Sequence, residues 1–145
     1  MTMREQDIIS VLSKIRTQAN KFIIKKMEDY GIYELAPSHG DIIFTLLKME
    51  RITMKDLADS IKKDKSTVTV LVEKLVRLGY IKKERDPADN RITYLSLTQK
   101  GADLKPMFED ISKNLFDTVY QNIPKEERKA LMQTLDKINQ NFNNI

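Results

Sequence analysis

The chain has 145 residues, of which 41% are hydrophobic and 32% are charged; this suits one packed domain and excludes a large multidomain enzyme. The 4 Gly and 4 Pro disfavour a turn-rich all-β fold, and the absence of Cys excludes disulfides, thiolate zinc sites and thiol redox switches. We therefore expect most of the chain to be helical. The formal net charge is +4. Because the first ten residues carry charges and no long apolar run occurs, we also expect a cytoplasmic protein.

The first predicted element is a long amphipathic helix over residues 5–30, which Gly31 suits as a C-terminal stop. A second helix is predicted from Pro37 to near Glu50, since proline favours the first turn of a helix. Apolar side chains at helical spacing form the predicted buried stripes, which are Ile8, Leu12, Ile15, Ala19 and Phe22, then Ile42, Ile43, Leu46 and Leu47.

Two further helices separated by a turn are predicted over residues 53–78. Thr53 has the form of an N-cap for the first, Asp64 can cap the second, and Gly79 ends it. The turn falls at residues 62–63. The inward faces carry Leu57, Ala58 and Ile61, then Val68, Leu71, Val72, Leu75 and Leu78.

A β-hairpin is predicted next, because residues 80–85 and 92–97 flank the turn-rich segment 86–91. Thr98 then caps one long predicted helix, and Pro124 opens the last helix. Their apolar stripes are Leu104, Phe108, Ile111, Leu115 and Val119, then Leu131, Leu135, Ile138 and Phe142.

This order of elements predicts a mainly α protein with a small β-hairpin wing, in which residues 37–101 form a winged helix-turn-helix lobe. The helices at 1–31 and 103–145 are too long for the lobe to cover, so a monomer would expose their apolar stripes. We therefore expect them to be dimerisation helices of a symmetric homodimer.

The positive charge is concentrated in residues 62–91, which hold nine Lys or Arg against five Asp or Glu, whereas residues 1–61 and 98–145 are each neutral. A basic face confined to one segment is the pattern expected for binding a polyanion. A solvated charged surface explains the counts alone equally well.

Three motifs in this region make the sequence similar to the MarR family of bacterial transcription regulators. They are Gly79-Tyr80-Ile81, the D-x-x-D-x-R segment at 86–91, and the L-T-x-x-G segment at 97–101. The order of helices also fits, so the resemblance spans nearly the whole chain. It implies a recognition helix at 64–78 that enters the major groove of double-stranded DNA.

The sequence departs from the family in two places. Val70 stands in the recognition helix where a polar side chain, often Arg, is common. Ala36 precedes Pro37-Ser38 in place of the family's frequent Thr, and His39 follows where Gln is frequent. Without the Thr cap, we expect the second helix to begin less tightly.

The outward face of the recognition helix provides the predicted base and phosphate contacts. Its hydroxyls can donate or accept hydrogen bonds, its methyl groups can pack on a thymine methyl, and Lys65 with the helix N-terminus suits a phosphate. The predicted DNA-binding residues on this helix are Lys65, Ser66, Thr67, Thr69, Val70 and Lys74. In the alternative interpretation, Ser and Thr merely start the helix.

In the wing, Arg91 is the strongest candidate, because a guanidinium can enter the minor groove or bind the backbone. Asp89 would orient Arg91 rather than touch DNA, and the resemblance implies the same pairing. Lys83 and Arg85 are predicted phosphate contacts, or else solvated. An exposed ion pair with no role in binding is the alternative for Arg91 and Asp89.

The resemblance also implies a small aromatic or anionic effector that binds between the dimerisation helices and the lobe. The candidate pocket residues are Arg16, Tyr30, Tyr33, His39 and Phe44. Core packing explains the aromatic residues at least as well, and a lone histidine is more often structural than a sensor.

The sequence therefore predicts a homodimeric, sequence-specific DNA-binding regulator, a repressor released by a small effector, acting on a pseudo-palindromic operator and needing no cofactor or metal. The alternative is a protein-interaction module on a degenerate winged helix. An enzyme is disfavoured, because one His and no Cys provide no evident nucleophile–base pair or metal cluster.

Overall fold

A computed structural model describes residues 2–145, which form seven α-helices, a 3₁₀ turn at Glu5–Asp7 and three short strands. The chain divides into two compact units, one ending at Ile111 and the other comprising Ser112–Ile145. In chain order the elements are α1 (Ile8–Asp29), α2 (Pro37–Leu47), β1 (Ile52–Thr53), α3 (Met54–Ile61), α4 (Lys65–Arg77), β2 (Ile81–Arg85), β3 (Thr93–Leu97), α5 (Gln99–Ala102), α6 (Lys105–Val119) and α7 (Lys125–Asn143). Within residues 2–145, no helix combines the length and apolar character needed to span a membrane.

The core of the first unit is built from side chains of several different elements. Helices α2, α3 and α4 pack together with β3, and α1 and α6 add Met27, Met107, Phe108 and Ile111 to the same core. The most deeply buried side chains are Met27, Ile42, Ile43, Leu57, Val68, Val72, Leu75 and Leu95. This arrangement confirms the predicted mainly α, winged helix-turn-helix fold.

The sheet has three antiparallel strands in the order β1-β3-β2, where the sequence predicted only a two-stranded ribbon. In the hairpin, Ile81 lies opposite Leu97 and Arg85 lies opposite Thr93. Strand β1 pairs Thr53 with Tyr94 on the other edge of β3. A strand of two residues is too short to show the alternation of apolar and polar side chains, so the sequence around β1 does not predict a strand.

Side-chain caps fix both helices of the helix-turn-helix, as the sequence predicted. The Thr53 hydroxyl oxygen accepts the Asp56 N–H at 3.1 Å, and the Asp64 carboxylate accepts the Thr67 N–H at 2.8 Å. Between the helices, Lys62 adopts a left-handed conformation with φ of 56°. Each cap pairs an N–H that would otherwise lack a partner at the helix start.

The L-T-x-x-G segment holds the end of α4 against the start of the wing. The Thr98 hydroxyl donates to the Gly79 carbonyl at 2.5 Å and accepts the Gly101 N–H at 3.2 Å. A Cβ at position 101 would collide with the Tyr80 carbonyl oxygen, so only glycine fits there. Gly79 itself has φ of +86°, a conformation that other residues rarely adopt.

The prediction of one continuous long helix after Thr98 is wrong, because the segment forms two helices. Thr98 caps the four-residue α5, and α6 begins separately at Lys105. Pro106 explains the break, since it has no N–H to donate to the Ala102 carbonyl and its ring disfavours a continuous helix there.

The start of α2 is held by His39, contrary to the expectation of a less tight first turn. The imidazole Nδ1 accepts the Ala36 N–H at 2.9 Å, so His39 performs the role that Gln or Glu has in a capping box. His39 is only 5% exposed. Because Nδ1 is an acceptor, the neutral ring carries its proton on Nε2.

We predict that acidification destabilises the fold through His39. Burial lowers the pKa of His39 below its ordinary value of 6.5, and the nearby positive charge of Lys74 lowers it further. The stabilising contribution of the neutral ring is therefore present above about pH 6.5 and is lost as the pH falls through the lowered pKa. Urea unfolding at pH 7.5 and pH 5 measures the loss.

The variant H39Q is the matched control, because the Gln oxygen can accept the Ala36 N–H but does not titrate. Carboxylates titrate equally in both proteins, so the wild type should lose more stability than H39Q between the two pH values. Equal losses would contradict the assignment of His39.

Candidate nucleic-acid interface

Helix α4 presents one apolar face to the core and a different face to solvent. Val68, Val72 and Leu75 are fully buried beneath it. Ser66 and Val70 lie one turn apart on the opposite side, and both are exposed. Val70 is 66% exposed, so its isopropyl group is available on this face.

The hydroxyl protons of two outward residues on α4 are already used within the chain. Ser66 donates to the Asp64 carboxylate at 2.7 Å, and Thr69 donates to the Lys65 carbonyl at 2.8 Å. Hydrogen bonds from the Ser66 hydroxyl and from the Thr67 N–H lower the pKa of Asp64 to about 2. Asp64 is therefore an anion at any pH near neutrality, and the two hydroxyl oxygens keep lone pairs that can accept a hydrogen bond.

The wing loop holds Arg91 in a two-pronged ion pair. The Arg91 Nε and Nη2 atoms lie 3.0 and 3.1 Å from the two carboxylate oxygens of Asp89. The guanidinium of Arg91, and then its backbone N–H, lower the pKa of Asp89, and the pair raises the pKa of Arg91. The Arg91 side chain remains 90% exposed, so the pairing orients the cation without removing it from solvent.

A second carboxylate organises the base of the wing. Asp86 Oδ1 accepts the N–H groups of Ala88 and Asp89 at 2.8 and 3.2 Å, and its Oδ2 accepts the Tyr94 hydroxyl at 3.2 Å. The Arg51 guanidinium lies 4.0 Å from the centre of the Tyr94 ring. The loop is thereby tied to β3 and to the residue preceding β1.

A cleft of about 490 Å³ lies between the start of α3, α4 and the wing. Four cationic side chains line it, and no carboxylate does. Its complete lining is Thr53, Met54, Lys55, Lys65, Thr69, Lys83, Arg91, Ile92, Thr93 and Tyr94. Electrostatically, the cleft suits an anion such as a backbone phosphate.

The cleft brings together four of the residues predicted from the sequence, which are Lys65, Thr69, Lys83 and Arg91. Ser66, Thr67 and Val70 are exposed on α4 outside the cleft, and Arg85 is exposed at the end of β2. Lys74 is half-buried, and its charge acts on His39. Lys55 and Tyr94 also line the cleft, although no motif marks either of them. Lys55 reaches the wing through the β1–β3 pairing.

The five candidate effector residues line neither the cleft nor the second cavity, which has about 310 Å³ and lies beside Ile138 and Phe142. Tyr30 donates to the Asp110 carboxylate at 2.5 Å, and His39 is occupied at the start of α2. Arg16, Tyr33 and Phe44 are exposed, with the Lys48 ammonium 4.2 Å from the Phe44 ring centre.

Comparisons with known proteins agree on one family. The model of the MarR family matches residues 33–92. The HTH-type transcriptional regulator SarZ of Staphylococcus epidermidis is 31% identical over 126 residues, which are 86% of this chain and 84% of that protein.

Solved structures show the same fold. A MarR protein from Peptoclostridium difficile superimposes with a TM-score of 0.86 at 20% identity, covering 99% of this chain and 92% of that one. The MepR protein of S. aureus, solved in complex with DNA, gives a TM-score of 0.84 at 20% identity, with 97% and 99% coverage.

Proposed function

Because the chain belongs to the MarR family, we propose that it is a DNA-binding transcription regulator that places α4 in the major groove and the Arg91 wing against the adjacent backbone or minor groove. The observation that carries this proposal is the carboxylate-free cationic cleft between α4 and the wing. A duplex phosphate entering this cleft would meet Lys55, Lys65 and Lys83 at once. The proposed contacts of Ser66, Thr67, Thr69, Val70 and Lys74 follow from their place on α4.

Exposed apolar side chains support the proposal of a homodimer. In the first unit, Ile9 and Ile15 of α1 are 63% and 51% exposed. In the second unit, Phe116, Met132 and Phe142 are all more than half exposed. Burying such side chains between two copies would remove their contact with water, which is favourable in proportion to the apolar area covered. We propose residues 1–31 and 103–145 as the dimerisation segments.

The proposed homodimer would determine the symmetry and the half-site spacing of the operator. Two copies of α4 would occupy successive major grooves about 34 to 36 Å apart, so the site would be a pseudo-palindrome. A protein bound in this way at a promoter blocks access of polymerase, which is the physical basis for proposing a repressor.

We also propose that a small aromatic or anionic effector releases the protein from DNA by changing the separation of the two α4 helices. Arg16, Tyr30, Tyr33, His39 and Phe44 line neither described cavity, and we propose that the ligand enters between α1 and the lobe by moving them apart. Such a movement would change the separation of the two α4 helices and cost affinity for the operator.

The function is tested by gel shifts with the duplex upstream of the coding region at two salt concentrations. A dimer that neutralises about six to ten phosphates should lose roughly 10³-fold or more in affinity between about 50 and 200 mM salt. Random duplex should bind far more weakly at the higher salt. Equal, weak affinity for both duplexes, together with capture of a protein through the α4 face, would favour the interaction module instead.

Replacement of Arg91 by Ala should weaken operator binding by about tenfold or more, because a charge-assisted contact is lost. The slope of log affinity against log salt should also fall by about two if each of the two Arg91 side chains of the dimer neutralises one phosphate. Fluorescence anisotropy measures both quantities. Arg77→Ala is the control, since Arg77 is also an exposed arginine of the basic segment but lies at the end of α4, outside the cleft.

An unchanged affinity in R91A, or an equal loss in R77A, would contradict the role proposed for the wing. Because the Arg91 side chain is 90% exposed, the variant should remain folded, which circular dichroism can verify.

The variant I15E should dissociate the proposed dimer and reduce operator affinity with it. A carboxylate is tolerated at this position in the monomer, where Ile15 is half exposed, but is costly when desolvated between two copies. Thr17→Glu is the control, because Thr17 lies on a different face of α1. Sedimentation equilibrium gives the masses, and a monomeric wild type at micromolar concentration would overturn the proposal.

A further inference from the structure

The first two turns of α4 carry two hydroxyl oxygens that can act as acceptors and one exposed aliphatic side chain. Ser66 and Thr69 donate their only hydroxyl protons to Asp64 and to the Lys65 carbonyl, as described above. A hydroxyl whose proton is committed retains only its lone pairs for a new partner. These two residues can therefore accept a hydrogen bond from a base but have no hydroxyl proton left to give it.

The hydrogen bond from the Ser66 hydroxyl is strengthened by the negative charge of the Asp64 carboxylate. Its partner Asp64 is also the N-cap that accepts the Thr67 N–H, so the carboxylate cannot rotate away without loss of the cap. Hydrogen bonds to an ionised acceptor are roughly twice as strong as neutral ones. Because the N-cap Asp64 accepts the hydrogen bond of the Ser66 hydroxyl, Ser66 acts as an acceptor toward any new partner.

Val70 lies one turn beyond Ser66 on the same side of α4, and its isopropyl group faces water. It cannot make a polar contact with a base edge. The only apolar group that DNA presents in the major groove is the 5-methyl group of thymine. Covering Val70 with this methyl would remove apolar surface of both partners from water.

Among the base pairs, only A·T presents an exocyclic amino donor and a methyl group together in the major groove. We infer that α4 selects A·T pairs in each half-site, with Val70 against a thymine 5-methyl group and the Ser66 and Thr69 oxygens accepting from adenine 6-amino groups. This inference rests on the proposed DNA-binding function and makes Val70 a specificity-determining residue.

The experiment starts with selection of bound duplexes from a randomised pool by the full-length protein. Each thymine of the selected half-site is then replaced by deoxyuridine, which lacks only the 5-methyl group. For at least one thymine in the footprint of α4, the wild type should bind the uracil duplex about fourfold more weakly, the ratio expected for one buried methyl group. The variant V70A should bind the thymine and uracil duplexes with nearly equal affinity.

R91A is the control protein, because loss of the wing contact should weaken binding to both duplexes and leave their ratio as in the wild type. A second arm replaces adenine by purine, which lacks the 6-amino group. The wild type should lose severalfold in affinity at one adenine, and S66A should be less sensitive to that replacement.

Failure of the A·T selection can be distinguished from failure of the proposed DNA-binding function. Selected half-sites with only G·C pairs under α4, or a thymine-to-uracil ratio that is the same in the wild type and V70A, would overturn the inference while the DNA-binding function stands. If no sequence is enriched and affinity does not depend on salt, the proposed function and the inference both fail.

Discussion

The position of the wing relative to α4 depends on the polar junction formed by Gly79, Thr98 and Gly101. One hydroxyl, that of Thr98, donates to the end of α4 and accepts from the start of α5, and the Thr98 N–H donates to the Tyr80 carbonyl at 3.0 Å. Since Gly101 leaves no room for a side chain against Tyr80, the two segments approach closely. A cleft of defined width between α4 and the wing exists because this junction and the buried core beneath it leave little freedom.

Carboxylates organise the basic segment without cancelling its charge. Asp64 caps α4, Asp86 ties the wing loop to Tyr94, and Asp89 holds Arg91, so each accepts hydrogen bonds inside its own loop or helix start. The Lys residues of the cleft have no carboxylate beside them in its lining. The acidic residues thus supply geometry while the cations keep the positive potential that a polyanion requires.

Folding of one chain leaves several large apolar side chains exposed to water. Residues such as Ile15 on α1 and Phe142 on α7 follow helical stripes, as core residues do, yet they remain exposed. Stripes of this kind are stable in solution mainly when another surface covers them. The proposed homodimer would cover them, and it would also give the molecule two copies of α4, as the proposed pseudo-palindromic operator requires.

The sequence alone determined the features that depend on residues near one another along the chain. Thr53 and Asp64 marked two helix starts, Gly79 marked a helix end, and the 86–91 segment marked the hairpin, because caps and turns use local hydrogen bonds. Tertiary structure decided the rest. Strand β1 exists only through pairing with β3, and Lys55 lines the same cleft as Arg91 because that pairing brings distant segments together. The role of His39, the break at Pro106 and the direction of the Ser66 hydroxyl depend on atomic geometry that residue spacing does not specify, since spacing gives the face of a helix but not the partner of a side chain.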